Sequence, residues 1–203
     1  MNKKIIIIAL MIFSFMAKNV FAAVGCDLSN PDRDVKKFFP QSSGYKTSYE
    51  SVEQNGGEEL FAEVQKRFGD NFTGLFETID VPYSVYTIFQ GNEVIGYIHG
   101  VNQRATYGGM QVFLAFDKEG IIKDFYFQRL TSQASKELRS KDFANQFIGL
   151  SLKDFADYDV KSGVFKGIYN PVLDAQDDFI AALRGVKKNL ILMDIFVFSR
   201  GKK

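Results

Sequence analysis

The chain holds one cysteine, one histidine and no tryptophan. A lone Cys26 cannot form an internal disulfide, and it excludes paired-thiol redox chemistry and cysteine-built metal sites. A lone His99 excludes a multi-histidine zinc site and leaves one position around which a Ser-His-Asp triad could form. No nucleophile motif accompanies it, so a hydrolase has little to stand on. Asp154, Asp157 and Asp159 lack the glycine and the distal glutamate of a calcium loop. Charge of one sign is also missing: 25 Lys and Arg face 24 Asp and Glu. Without a clustered basic excess, nucleic acid is not an expected partner.

What is present begins with an export pattern. Lys3 and Lys4 precede an apolar run from Ile5 to Ala17, and Val20-Phe21-Ala22 supplies compact residues where a signal peptidase cuts. Residues 1–22 therefore read as a signal peptide, which makes the protein periplasmic or secreted. The run is shorter than the roughly 20 residues of a permanent span. Two other readings stay open. One is an uncleaved anchor. The other is a lipobox at Ala23-Val24-Gly25-Cys26, with the protein lipid-anchored through Cys26, although Lys18 and Asn19 separate that tetrapeptide from the apolar run. Residues 23–203, about 180 in number, fit a single domain with a real core.

Along that stretch, Asn30-Pro31 opens a short helix that Pro40 ends. Residues 45–52 form a strand, and Asn55-Gly56-Gly57 breaks it. Leu60, Phe61, Val64 and Phe68 give residues 58–68 a helical apolar face, which Gly69 stops. Strands follow at 83–89, 94–101, 111–116 and 121–128, joined by short connections. Residues 102–109 (NQRATYGG) read as a polar connection. Helices return after Arg129, with Thr131, Ser132 and Ser140 as capping types, and a last helix starts at Pro171. Residues 190–198 read equally as its end or as a strand. The fold class is α+β: a twisted antiparallel meander with flanking helices.

Two segments offer binding chemistry. In the first, Gly108 and Gly109 allow close approach of a guest, Asn102 and Gln103 donate, and Tyr107 presents a flat face. In the second, Arg129, Thr131, Ser132 and Gln133 surround an expected helix start, whose free N–H groups suit a phosphate or a ring carbonyl. The same residues also make an ordinary hairpin and an ordinary capped helix. His99 lies beside the first segment, either as a proton donor or as a structural residue. At the third helix start, Tyr169-Asn170-Pro171, the acids Asp174, Asp177 and Asp178 suit the helix dipole and would repel phosphate.

The stretch from Val81 to Leu152 resembles the FMN-binding domain family. That family includes periplasmic parts of the sodium-pumping NADH:quinone oxidoreductase, the Rnf complex and NosR-type regulators. Residues 86–97 (YTIFQGNEVIGY) look like its first hairpin. Tyr107-Gly108-Gly109-Met110-Gln111-Val112 resembles its GYGG step, and residues 116–122 (FDKEGII) resemble its D-x-x-G-x-I turn. Residues 32–40, ending in Phe39-Pro40, are similar to the helix that precedes many such domains. Two family motifs are altered. The Glu-Thr-Pro-Gly-like segment is Leu130-Thr131-Ser132-Gln133-Ala134 here. The Ser-Gly-Ala-Thr motif, whose threonine is esterified by FMN phosphate, gives way to residues 169–175 (YNPVLDA), without threonine.

The resemblance implies non-covalent FMN and a role as an electron-transfer accessory, membrane-associated through a membrane redox complex or working with an exported protein partner. The departures imply an alternative: a flavin-free descendant acting as a periplasmic ligand- or partner-binding protein. Mass measurement of exported protein is expected to give a chain starting at Ala23, with no added flavin or lipid mass.

Overall fold

The computed structural model describes residues 26–73, 77–165 and 167–200. The export segment 1–22 and the cleavage sites after it lie outside the described residues. Five strands form one sheet in sequence order: β1 (Gly44–Glu50), β2 (Tyr83–Gln90), β3 (Glu93–Ala105), β4 (Gly108–Phe116) and β5 (Ile122–Leu130). Every neighbouring pair is antiparallel. Helices flank this meander, so the α+β architecture expected from the sequence is the one found.

Local chemistry explains most element ends. In α1 (Pro31–Phe38) the Asn30 side chain accepts from the Arg33 N–H, and Pro31 fills a first-turn position. In α2 (Val52–Phe68) Ser51 caps the start, Gly56 and Gly57 kink the helix, and Gly69 ends it at φ 91°. The expected helix at 58–68 is thus the second limb of a longer, bent one.

Three expectations need correction. Residues 102–109 are not a loop. β3 runs on to Ala105, which pairs with Gly108, so only Thr106 and Tyr107 turn the chain. The strand survives its polar residues because alternation continues: Val101, Gln103 and Ala105 are buried, and Asn102 accepts from the Gln111 side chain of the neighbouring strand at 3.1 Å. Thr131 and Ser132 do not cap a helix. The next helix, α3 (Ser135–Leu138), is a single turn with Ala134 at its N-cap, followed by α4 (Lys141–Asn145). The last helix, α5 (Gln176–Met193), starts later than Pro171, because Asn170 Oδ1 accepts from the Val172 N–H at 2.9 Å and a short 3₁₀ turn at Leu173–Ala175 intervenes. α5 then continues into a π-helical turn at Asp194–Phe198, which resolves the 190–198 ambiguity as helical.

The sheet buries both faces. On one face, α5 packs across β3 and β4, with Val101, Val112, Leu114 and Phe116 beneath Leu183, Val186 and Leu190. Phe143 and Phe147, four residues apart around α4, close on Phe125 and Phe127. On the other face, the N-terminal segment and α1 place Cys26, Leu28, Val35 and Phe39 over Tyr86, Ile88, Ile98 and Phe113. Cys26 is 1% exposed, and burial pushes its thiol pKa up. Among the described residues no helix is long and apolar enough to cross a membrane, and no cluster of metal-ligating side chains forms.

Polar groups are threaded into the α5 face. Lys188 is fully buried, pairs with Glu77 and donates to Asn102 O at 3.2 Å. Burial pulls its pKa down, and Glu77 opposes that shift. Asn189 Nδ2 donates to His99 O and Val112 O at 3.0 and 3.2 Å. Its Oδ1 is therefore left to accept from His99 Nδ1 at 2.8 Å, which assigns the imidazole proton to Nδ1. His99 is thus a structural residue between Tyr83, Phe196 and Asn189, sealed from any cleft.

Two predictions follow from this face. A Cβ built at Gly185 would lie 2.6 Å from Val112 Cγ2. Gly185→Ala should therefore destabilise by about 1–2 kcal/mol in urea unfolding, because overpacking outweighs a helix-propensity gain of about 1 kcal/mol. Burial lowers the His99 pKa from 6.5 to about 4, with Asn189 opposing the shift and Lys188 adding to it. Between those values the unfolded chain binds the proton and the folded chain does not. The His99 contribution is thus complete above pH 6.5 and is lost as pH falls toward 4, by up to about 1.4 kcal/mol per pH unit. Unfolding curves at pH 7, 6 and 5 should show that slope, and His99→Gln should flatten it.

Candidate functional site

The two binding segments meet at one end of the sheet. A Cβ on Gly108 would touch the Thr131 side chain at 3.4 Å, so the β3–β4 turn and the stretch after β5 lie in contact. The carboxylate of Asp178, in the first turn of α5, fills the junction, and the hollow that the turn and Gln133 share beside it is small, about 240 Å³. Asp178 Oδ1 accepts from the Thr106 N–H at 2.9 Å, and Oδ2 accepts from the Ser132 hydroxyl. Asp178 is 1% exposed. Burial raises its pKa, but the hydrogen bonds from Ser132 and Thr106 outweigh that and hold the carboxyl below the usual range. The protein's own carboxylate thus takes the N–H and O–H donors that a bound anion would use.

Open space lies around this junction instead. A cleft of about 710 Å³ is bounded by the end of β3, by α5, by residues 70–73 and by the turn at 160–161. Gln103, Arg104, Thr106, Lys161, Asp177 and Arg184 are among its lining residues. Arg184 braces it: Nη1 bonds Asp70 Oδ2 at 3.0 Å and Val160 O at 2.9 Å, Nη2 bonds Asn71 O at 3.3 Å, and the guanidinium lies over the Phe68 ring. The Asn71 backbone N–H and the Arg184 guanidinium hold the Asp70 carboxyl below its usual range. Lys161 is exposed at the rim, on a turn folded by its N–H and the Ser162 hydroxyl donating to Asp159.

Two smaller hollows, of about 240 and 320 Å³, sit at the tip of α5. The first adjoins the large cleft at Thr106 and Asp177, which line both. The two hollows share Gln133, Leu173, Asp174 and Ala175. Of the residues singled out from the sequence, Gln103 lines the large cleft, Tyr107 lines the first hollow and Gln133 lines both hollows. Asn102, Gly108, Gly109, Arg129, Thr131 and Ser132 line none of the three. Asn102 serves a side-chain ladder with Gln111 and Gln128 across β3, β4 and β5. Gly109 pairs with Arg104 in the sheet, and Arg129 is exposed on β5 opposite Gln111. Ser132 Oγ also accepts from the Ala134 N–H at 3.0 Å, which is turn chemistry.

Sequence reasoning missed Asp178 as a plug, Arg184 as a brace and Lys161 as a rim cation. Asp178 carries the same local signal as any acid in a first helical turn. Arg184 and Lys161 stand among unremarkable neighbours, and only the packing of α5 beside residues 70–73 and 159–164 gives them a common cleft.

A covalently bound FMN does not fit. No threonine hydroxyl stands in residues 169–175, and Asp174, Asp177 and Asp178 crowd the α5 tip. Non-covalent FMN fits the large cleft by size, since ligand pockets run about 300–1,000 Å³. There, Arg104, Lys161, Arg184, Gln103, Asn71 and Thr73 carry side-chain donors.

No protein-family model matches the chain, and no curated protein matches it by sequence. Among solved structures, it is similar to NqrC of Shewanella oneidensis, with a TM-score of 0.56 and 12% identity. The alignment covers 94% of this chain and 98% of that one. At that identity the likeness shows a shared fold, carried by nearly the whole length of both chains.

Proposed function

We propose that the protein is an exported accessory domain that binds FMN non-covalently in the 710 Å³ cleft and serves a membrane redox complex. The cleft itself carries this reading. It is large enough for the guest, it is held open by the Arg184 brace, and it is lined by donors at the sheet end nearest Tyr107. The backbone likeness to NqrC and the ordered resemblance to flavin domains support it. Redox chemistry would come from bound flavin, while the chain's residues bind and orient it. The signal pattern at residues 1–22 supports a periplasmic or secreted location. Burial of Cys26 in the second core supports plain export over lipidation, because an acylated Cys26 would have to leave its packing.

A second reading is favoured by Asp178. Its carboxylate already satisfies the donors between the two sequence-selected segments, as expected of a flavin-free descendant that binds a partner.

Titration with FMN, followed by quenching of flavin fluorescence, separates the two. The first reading expects saturable binding, weaker binding of riboflavin, and about tenfold weaker FMN binding for Lys161→Glu, or 1.4 kcal/mol. Absence of saturation up to millimolar FMN would leave the flavin-free reading standing.

A further inference from the structure

The tip of α5 carries a second surface, which meets the large cleft only at Thr106 and Asp177. Leu173 is 81% exposed and Tyr107 is 61% exposed, at the edge of the two connected hollows. Pro171, Val172, Ala134 and Ala175 line the second hollow beside them, in a groove of mixed character. A leucine so exposed forgoes the roughly 1.5–3 kcal/mol that burial of such a side chain provides. Single exposed apolar residues are ordinary, but here Leu173 borders a formed groove that continues for two hollows.

The charge around the groove is of one sign. Among the described residues, Glu137, Asp174, Asp177 and Asp178 line it, and no Lys or Arg does. Only Asp178 is consumed internally. Among the described residues, Glu137, Asp174 and Asp177 enter no ion pair. The N-terminal dipole of α5 offsets part of the repulsion between Asp174 and Asp177, so the free chain holds these charges without neutralising them. Anionic guests, lipid head groups among them, are disfavoured here. A cationic partner gains both from the charge and from covering Leu173.

We propose that this groove docks a Lys- or Arg-bearing segment of an exported partner protein, whose apolar side chains cover Leu173 and Tyr107. The assignment holds whether or not the large cleft takes FMN. Leu173 anchors the contact, and Asp174 and Asp177 set its sign.

The test places the photo-crosslinker p-benzoylphenylalanine at position 173 of the full exported chain in its own cells, with position 164 as a control of similar exposure (Val164, 64%). Mass spectrometry then reads the sequence of the attached segment. The expected result is one dominant protein adduct at 173, absent at 164, on a segment carrying Lys or Arg beside apolar residues. Asp174→Lys with Asp177→Lys should reduce that adduct at least tenfold while the thermal midpoint of the purified protein stays within a few degrees. The proposal is overturned by adducts to lipid, to a second copy of this chain or to a segment without basic residues. It is equally overturned by equal labelling at 164, by no adduct, or by an adduct indifferent to the charge reversal.

Discussion

The close seat of α5 on β3 and β4 is the constraint from which the rest of the molecule follows. At Gly185 the helix backbone comes so near Val112 that a methyl group has no room. That approach lets Asn189 reach two strand carbonyls and the His99 ring, and it brings Lys188 to Asn102 O. It also drives the first turn of the helix into the β3–β4 turn, where Asp178 meets Thr106. A glycine that weakens the isolated helix is thus what allows the helix to dock. Local propensity is given up for contact between layers.

The polar groups on this face specify more than they stabilise. A buried ion pair gains little over a well-packed apolar pair, because desolvation offsets the attraction. Lys188 with Glu77, and Asn189 with His99, nevertheless admit one rotation and one height of α5 over the sheet. Sliding the helix by a residue would strand a charge in the core. The same register sets Arg184, one turn before Lys188, against Asp70 and Val160, and so holds the walls of the large cleft apart. The cleft is a consequence of the helix register, not a separate construction.

Charge divides the functional end of the molecule. The large cleft mixes Arg184 and Lys161 with Asp70 and Asp177. Among the described residues, the charged side chains at the adjoining tip are all acidic. Acids suit the start of a helix, so the tip can be acidic at little cost to folding. The same choice removes the helix N-terminus as a seat for phosphate. Any phosphate-bearing guest is pushed toward the cations of the cleft, and the tip is left to positively charged partners.

The sequence by itself determined the elements whose causes are local. Asn30-Pro31 starts one helix and Gly69 ends another by side-chain and backbone geometry alone, and the short turns of the meander dictate antiparallel neighbours. The local motifs that resemble flavin domains implied an α+β fold, and the backbone likeness to NqrC shows that fold shared. Composition alone sufficed to exclude disulfide and multi-histidine chemistry. What depends on distance was invisible. Polar Asn102 and Gln103 read as loop until Gln111, across the sheet, gave Asn102 a strand partner. Thr131 and Ser132 read as helix caps, whereas Ser132 donates to an acid 46 residues away. Only the tertiary structure decided that Asp178 closes the junction and that Arg184 braces the cleft. A hydrogen bond between residues far apart in sequence leaves no periodicity or spacing by which the chain alone could announce it.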